Sequence, residues 1–230
     1  MKKNKFSKTN ILLLVIVILV FPFLPMMVSA RWDWWQAWAY ALIFILGFFV
    51  SRALAARRHP DILKERAQSM QHQDTVAWDK ILSRVVAFGS IIISLVAGLA
   101  ARFNWSTRLD TAYELAGLII LLASYALASY ALIENRFFSG TVRIQSERGH
   151  RVVSSGPYRW VRHPGYLGSL LGYIAIPLLL NSLWSFIPAI FGTFVLILRT
   201  ALEDRFLQAD LPGYAQYAQR VRQRLIPGIW

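Results

Sequence analysis

Long apolar stretches without charge make up much of this chain of 230 residues. A helix needs about 20 apolar residues to cross a membrane, and backbone groups in lipid must be hydrogen-bonded within the protein. Such stretches, interrupted only by Arg84, lie at 11–28, 34–50, 81–101 and 115–133. Two shorter stretches, 167–180 and 183–198, are separated by Asn181-Ser182. We therefore predict an all-α, polytopic membrane protein with about five to six transmembrane helices, the last two as a helical hairpin, and a cytoplasmic C-terminal helix.

The composition also indicates a membrane protein rather than a water-soluble domain. The hydrophobic fraction is 56% and the charged fraction is 16%, whereas soluble domains average roughly 45–50% and about 25%. The chain has no cysteine, which excludes disulfides, cysteine–zinc sites and cysteine nucleophiles.

The basic residues predict how the helices are oriented. The net charge is +13, and 22 of the 25 lysines and arginines, counting Arg84 near the start of the third stretch, lie before the first stretch, between the second and third, between the fourth and fifth, or after the sixth. Because Lys and Arg concentrate on the cytoplasmic side, we expect both termini in the cytoplasm, at a bacterial-type inner membrane or a plasma membrane. The charges are spread over four segments, so nucleic acid is not expected as a partner.

The first stretch, 11–28, has two interpretations. Lysines precede it and Val28-Ser29-Ala30 ends it, as in a cleaved signal peptide. Its apolar part is longer than the roughly 7–15 residues of a signal-peptide core, which favours a retained anchor.

Polar residues concentrate in three segments on the predicted cytoplasmic side: 51–80, 134–164 and the tail after Leu198. Within the first segment, Pro60 to Arg66 predicts a short amphipathic helix at the membrane interface. No Gly-x-Gly, P-loop, His-Glu-x-x-His or Gly-x-Ser-x-Gly motif occurs. The histidines have no tight metal-ligand spacing, so no metal is predicted.

Two local patterns contain candidate functional residues, and each also has a purely structural interpretation. His163-Pro164 lies where the fifth stretch begins, and the bare backbone of Gly165 suits either close helix packing or contact with a ligand carboxylate. Arg199 and Glu203 lie at i and i+4 on one helix face. They are either a snorkelling arginine with its ion-pair partner or part of a site, and spacing alone does not decide.

The chain resembles the integral-membrane methyltransferases at residues 156–168, which read Gly-Pro-Tyr-x-x-Val-Arg-His-Pro-x-Tyr-x-Gly. That family includes isoprenylcysteine carboxyl methyltransferases and, more distantly, phospholipid N-methyltransferases. The family's C-terminal motif is similar to Glu203-Asp204, Tyr214-x-x-Tyr217 and the run from Val221 to Pro227. Two departures stand out: Asp204 replaces the usual Glu, and Asp210-Leu211 with Pro212-Gly213 replaces a Phe-Gly.

The resemblance implies S-adenosyl-L-methionine as methyl donor and one membrane domain over 1–230, with N-terminal helices in 1–134 and a cofactor-binding catalytic core in 135–230. Carried over by position, the donor-binding residues are Gln145, His150, Arg151, Val152, Val153, Tyr158, His163, Pro164, Gly165, Tyr166 and Glu203. Arg199 matches the arginine that faces the methyl acceptor. His163 is the first candidate for the base that an amine acceptor requires.

The predicted function is therefore methyl transfer to a lipophilic acceptor, with a carboxylate such as that of a prenylcysteine favoured. The acceptor is expected to enter from the bilayer between the fourth and fifth stretches. Phospholipid N-methylation is the alternative within the family. A non-enzymatic membrane scaffold or a transporter is the alternative from another class, although the scarcity of charge within the apolar stretches argues against a transporter.

Overall fold

The computed structural model describes residues 16, 18–105 and 109–230. Within these residues the chain forms eight α-helices whose bounds are fully described, joined by loops and short 3₁₀ turns, and no strand; Ile16, Ile18 and Leu19 are helical as well. The helices are α1 Leu24–Ser29, α2 Trp35–Arg58, α3 Ile62–Gln68, α4 Asp79–Phe103, α5 Thr111–Glu134, α6 Pro164–Leu179, α7 Phe186–Asp210 and α8 Tyr214–Arg220. The all-α prediction is confirmed.

Four segments of the described chain are long and apolar enough to cross a membrane: α2, α4, α5 and the segment 183–210 that contains α7. Helix α6 is apolar as well, but it has only 16 residues. Large apolar side chains lie exposed on the outer faces of these helices, for example Leu46 at 60%, Ile119 at 66% and Phe194 at 66%. An apolar surface of this extent suits lipid rather than water, and the chain is an integral membrane protein.

The first apolar stretch is not one continuous helix in the part that the structure describes. Residues 1–15 and 17 lie outside the described residues, and so does that part of the predicted anchor or signal peptide. In the remainder, Ile16, Ile18 and Leu19 are helical, and a 3₁₀ turn, Phe21–Phe23, and the short helix α1 follow. Pro22 and Pro25 stand in the first turns of these two elements, and their missing N–H groups explain the break.

The other stretches are confirmed as helices, and two of these helices extend furthest beyond their apolar stretches. Helix α2 continues past Val50 to Arg58, and α7 continues past Leu198 to Asp210. Helices α6 and α7 are joined by residues 180–185, where Asn181 has a left-handed φ of 53°. The hairpin and the number of membrane crossings remain predictions.

Helices α5 and α6 pack against each other more extensively than any other pair of described helices. A Cβ on Gly168 would lie 2.9 Å from the Cβ of Ala128, and the Ser124 hydroxyl donates to the Gly168 carbonyl oxygen at 2.8 Å. Gly168 therefore serves close helix packing. The predicted lateral entry of an acceptor between α5 and α6 remains a prediction.

The two ends of the helix bundle differ in their polar residues. At one end, the start of α4, the end of α5, the start of α6 and the end of α7 meet the polar loops. At the other end, Glu114 accepts hydrogen bonds from Gln36 at 2.8 Å and from the Asn181 side chain. Exposed tryptophans lie around this second end at Trp32, Trp35, Trp38, Trp105 and Trp184, as is typical of a membrane boundary. That the first end faces the cytoplasm remains a prediction.

Candidate functional site

An open cleft of about 790 Å³ lies at the end of the bundle where the helices meet the polar loops. It is enclosed by the loop 135–163, the start of α6, the end of α7 and α8. Ten of the twelve predicted site residues line it: Gln145, His150, Arg151, Val152, Val153, Tyr158, His163, Gly165, Tyr166 and Glu203. Pro164 and Arg199 do not line it.

The loop wall of the cleft is built around the buried side chain of Gln145. Its Nε2 donates to the Phe137 carbonyl oxygen at 2.8 Å, and its side-chain oxygen accepts from Arg148. The Gln145 backbone N–H donates to Nδ1 of His150 at 3.3 Å. Burial, together with the charges of Arg143 and Arg148, lowers the pKa of His150 to about 4. The imidazole is therefore neutral near pH 7, with Nδ1 as an acceptor.

This arrangement predicts a loss of loop stability in acid. A histidine whose pKa is lowered from 6.5 to about 4 on folding contributes stability above pH 6.5, and that contribution is lost as the pH falls toward 4. We expect proteolysis of the loop 135–163 to accelerate over this window. In His150→Asn, whose side-chain oxygen can still accept from Gln145, the acceleration should be smaller. An identical pH profile for both proteins would contradict the assignment.

Helix α3 holds this loop in place through two carboxylates. Buried Glu65 accepts from Nη2 of Arg143 at 3.0 Å, and Asp61 accepts from Nη2 of Arg148 and of Arg136, both at 2.9 Å. The hydrogen bond from Arg136, and next that from Arg148, lower the pKa of Asp61 to about 2, against a smaller opposing effect of burial. The predicted amphipathic helix therefore anchors the cleft loop.

Asp204 of α7 is fully buried and accepts hydrogen bonds from several elements. Arg162 forms a bidentate pair with it, from Nε at 2.6 Å and from Nη2 at 2.9 Å. The Tyr214 hydroxyl donates to it at 3.1 Å, Arg224 Nε at 2.9 Å and Gln208 Nε2 at 2.8 Å. Asp204 thereby joins the start of α6 to α8 and to the C-terminal tail.

Backbone hydrogen bonds continue this connection along the tail. The N–H groups of Arg162 and His163 donate to the carbonyl oxygens of Gln223 and Arg224, each at 2.9 Å. Nη1 of Arg162 also donates to the carbonyl oxygen of Val221 at 2.7 Å. The C-terminal motif therefore lies against the residues that precede α6 and closes one side of the cleft.

The departure from the family pattern at 210–213 forms the turn between α7 and α8. Gly213 has a φ of 85°, a conformation that favours glycine. The turn places buried Leu211 in one apolar cluster with Tyr158, Tyr214 and Tyr217. The Tyr217 hydroxyl donates to the Tyr158 carbonyl oxygen at 2.7 Å. Leu211 thus becomes part of the cleft wall.

Glu203 has different surroundings from its neighbour Asp204. Its carboxylate accepts from the Tyr166 hydroxyl, and among the described residues no basic side chain lies within 4.0 Å of it. The ring of His163 stacks on that of Tyr166 with centroids 5.7 Å apart. His163 Nε2 lies 3.3 Å from an Asp204 oxygen and 3.3 Å from the Tyr214 hydroxyl oxygen. Glu203 therefore offers the cleft a carboxylate that has no ion-pair partner within 4.0 Å among the described residues, whereas His163 Nε2 is already engaged.

Arg199 is held by a residue that the sequence patterns do not reveal. Its Nε donates to Oδ1 of Asp79 at 2.6 Å and its Nη2 to Oδ2 at 3.1 Å, and both side chains are buried. Asp79 also accepts from the Val142 backbone N–H at 2.7 Å, while the Arg199 guanidinium lies 5.1 Å from the centroid of the Tyr166 ring. Because 120 positions separate Asp79 from Arg199, no local spacing points to the pair.

Comparisons with known proteins agree with the motifs. Residues 116–209 match the model of the isoprenylcysteine carboxyl methyltransferase (ICMT) family. A probable protein-S-isoprenylcysteine O-methyltransferase of Oryza sativa subsp. indica is 29% identical over 117 residues, which cover 47% of this chain and 59% of the relative. The cobalt-zinc-cadmium resistance protein CzcN of Cupriavidus metallidurans is 34% identical over 80 residues, 34% of this chain and 36% of that protein.

Among solved structures, that of a eukaryotic intramembrane Ras methyltransferase of the same family is similar. It covers 97% of this chain and 87% of its own, with 19% identity and a TM-score of 0.46, which is too low to transfer structural detail. The matched segment spans about three fifths of the rice relative's length, 59%.

Proposed function

We propose that this chain, a member of the isoprenylcysteine carboxyl methyltransferase family over residues 116–209, transfers a methyl group from S-adenosylmethionine to the carboxylate of a lipophilic acceptor at the membrane boundary. One observation carries the proposal: the fold collects into a single cleft residues from three separate elements, the loop 135–163, α6 and α7, that the family pattern assigns to donor binding. The names of the methyltransferase relatives support the same reaction class.

The cleft fits the chemistry of this donor. S-adenosylmethionine supplies a methyl group on a sulfonium and also presents an ammonium, a carboxylate and an adenine ring. The free carboxylate of Glu203 suits the ammonium or the ribose hydroxyls. The backbone N–H of Gly165, in the first turn of α6, has no intrahelical partner and suits the carboxylate. The rings of Phe137 and Tyr158 provide apolar walls for the adenine.

A second cavity supports a lipophilic acceptor. It has a volume of about 630 Å³ and lies deeper in the helix bundle, among α2, α4, α5 and α6. Its lining is largely apolar or aromatic and includes Tyr40, Phe44, Leu121, Tyr125, Tyr173 and Ile176. Helix α6 borders both spaces, with Gly165 and Tyr166 at the cleft and Gly168 and Ser169 at the second cavity. An apolar tail in this cavity would therefore extend from a head group near the cleft.

The surroundings of His163 favour a carboxylate acceptor over an amine. A carboxylate attacks without losing a proton, whereas a protonated amine needs a base. His163 Nε2 is engaged with Asp204 and Tyr214, so it is poorly placed to take that proton. Methyl transfer is an in-line displacement in which positioning supplies most of the rate.

Glu203→Gln should weaken donor binding about tenfold or more, because the cleft loses its uncompensated carboxylate while the hydrogen bond from Tyr166 can be kept. Titration calorimetry of detergent-solubilised protein with S-adenosylmethionine measures this. Asp210→Asn is the matched control, since Asp210 is exposed at the end of the same helix, and it should bind like the wild type.

Two results would count against the proposal. If the folded wild type does not bind the donor, a membrane scaffold or transporter becomes the better interpretation. If native lipid extract incubated with methyl-labelled donor yields a labelled phospholipid amine rather than an ester, the phospholipid N-methyltransferase alternative holds.

A further inference from the structure

Two arginines near the cleft differ from the other buried or half-buried arginines in the described residues. Six buried or half-buried arginines of the described chain have a carboxylate within 4.0 Å: Arg31, Arg143, Arg148, Arg162, Arg199 and Arg224. Arg52 and Arg66 are half-buried and have none in that part of the chain. Arg66 Nη1 lies 3.4 Å from the Phe138 carbonyl oxygen, and Arg52 Nη1 lies 3.1 Å from the Ser51 hydroxyl. Both guanidinium groups therefore keep hydrogen-bonding capacity without a counter-charge.

Arg66 lies directly behind one wall of the cleft. Its guanidinium is 5.2 Å from the centroid of the Phe138 ring, and Phe138 lines the cleft. The ring packs so closely on α6 that a Cβ on Gly165 would lie 2.5 Å from it. Burial, and next the positive charge of Arg199, lower the pKa of Arg66 to about 10. Arg66 is therefore in a positive environment that an anion would relieve.

Arg52 connects this environment to the second cavity. It lies near the end of α2 and interacts electrostatically with both Arg66 and Tyr125, and Tyr125 lines the second cavity. The Arg52 guanidinium lies 3.5 Å from the centroid of the Phe48 ring, which fixes its direction. The two guanidinium groups thus lie near residues that line the two spaces, Phe138 at the cleft and Tyr125 at the apolar cavity, and neither arginine lines a space itself.

Arg199, by contrast, already has a carboxylate partner. Asp79 binds it through both carboxylate oxygens, and the Gly140 carbonyl oxygen accepts from it at 3.0 Å. An incoming carboxylate would have to compete with that buried pair. A guanidinium without a carboxylate is the better partner, because its planar donors match both oxygens of a carboxylate.

We propose that Arg66, assisted by Arg52, binds the carboxylate of the lipophilic acceptor while the tail of the acceptor occupies the second cavity. This rests on the proposed function and adds the acceptor-binding residues to it. The group that Arg66 binds is an oxyanion, and we assign this oxyanion to the acceptor itself. The head group of an anionic membrane lipid is the alternative source of such an oxyanion.

The test uses the full-length chain in phosphatidylcholine vesicles with an N-acetylated S-prenylcysteine and its neutral carboxamide. Arg66→Gln should raise the KM for the carboxylate about tenfold or more. It should leave the inhibition constant of the carboxamide and the dissociation constant of the donor unchanged. Arg66→Lys should recover part of the loss. Arg84→Gln, at an exposed arginine on α4, is the control and should behave like the wild type.

Three results would overturn the inference. An equal loss for carboxylate and carboxamide would show that Arg66 only packs against Phe138, and an unchanged KM would exclude it from acceptor binding. An effect that appears only when phosphatidylglycerol is added would assign the site to a lipid head group. If the wild type binds no donor and methylates no probe, the proposed function fails. Direct binding of the carboxylate and the carboxamide to wild type and Arg66→Gln then decides the inference separately.

Discussion

Asp204→Asn is expected to release the C-terminal tail from the start of α6 and to abolish donor binding. The substitution is nearly isosteric, but it removes the negative charge on which Arg162 and Arg224 converge. Removing one member of a buried ion pair costs about 3–5 kcal/mol, since the remaining charge is left buried without compensation. Because the tail closes one side of the cleft, the loss should appear both in stability and in binding.

Thermal unfolding in one detergent, together with limited proteolysis of the tail after α8, measures the effect on stability. Asp210→Asn, on the same helix but exposed, should leave both unchanged. Asp204→Glu restores the charge with the longer side chain that is usual in the family, and it should recover more of the stability than Asn does. A tail that remains protease-resistant in Asp204→Asn would show that the backbone pairing of Arg162 and His163 with Gln223 and Arg224 holds it alone.

The sequence predicts best where a residue's role depends on its near neighbours. The start of α6 at Pro164 follows from the fixed φ and missing N–H of proline, and Gly156-Pro157 begins a 3₁₀ turn as such a dipeptide favours. The order of the motif residues around the cleft follows from the family resemblance. These features need no knowledge of distant contacts.

Pairing between distant residues could not be predicted in this way. Asp79 begins a helix, where a carboxylate suits the helix dipole without any further partner, yet its charge balances Arg199 of α7. Asp204 and Glu203 are adjacent in sequence, but the helix turns one into the buried network and the other into the cleft. The division of roles between the two carboxylates therefore follows from tertiary packing and not from their spacing.

Asp79→Asn should destabilise the protein strongly and slow methyl transfer. Arg199 would keep its charge in a buried position without a counter-charge, at a cost of about 3–5 kcal/mol, and the Val142 N–H would lose an ionised acceptor. The midpoint of thermal unfolding in a fixed detergent measures the first effect. Ser83→Ala, one turn along the same face of α4, is a control, because its hydroxyl only donates to the Asp79 carbonyl oxygen at 2.5 Å.

The double variant Asp79→Asn/Arg199→Gln separates the structural role of Arg199 from a catalytic one. Because the double variant leaves no buried charge without a partner, much of the stability should return. A double-mutant cycle should give a coupling free energy of about 0.5–3 kcal/mol between the two sites. If Arg199 only supports Tyr166 and the loop at Gly140, turnover should recover together with stability. If Arg199 faces the acceptor as the family resemblance implies, stability should return while turnover stays low. A double variant no more stable than Asp79→Asn would show that the pair is not the interaction that fixes Arg199.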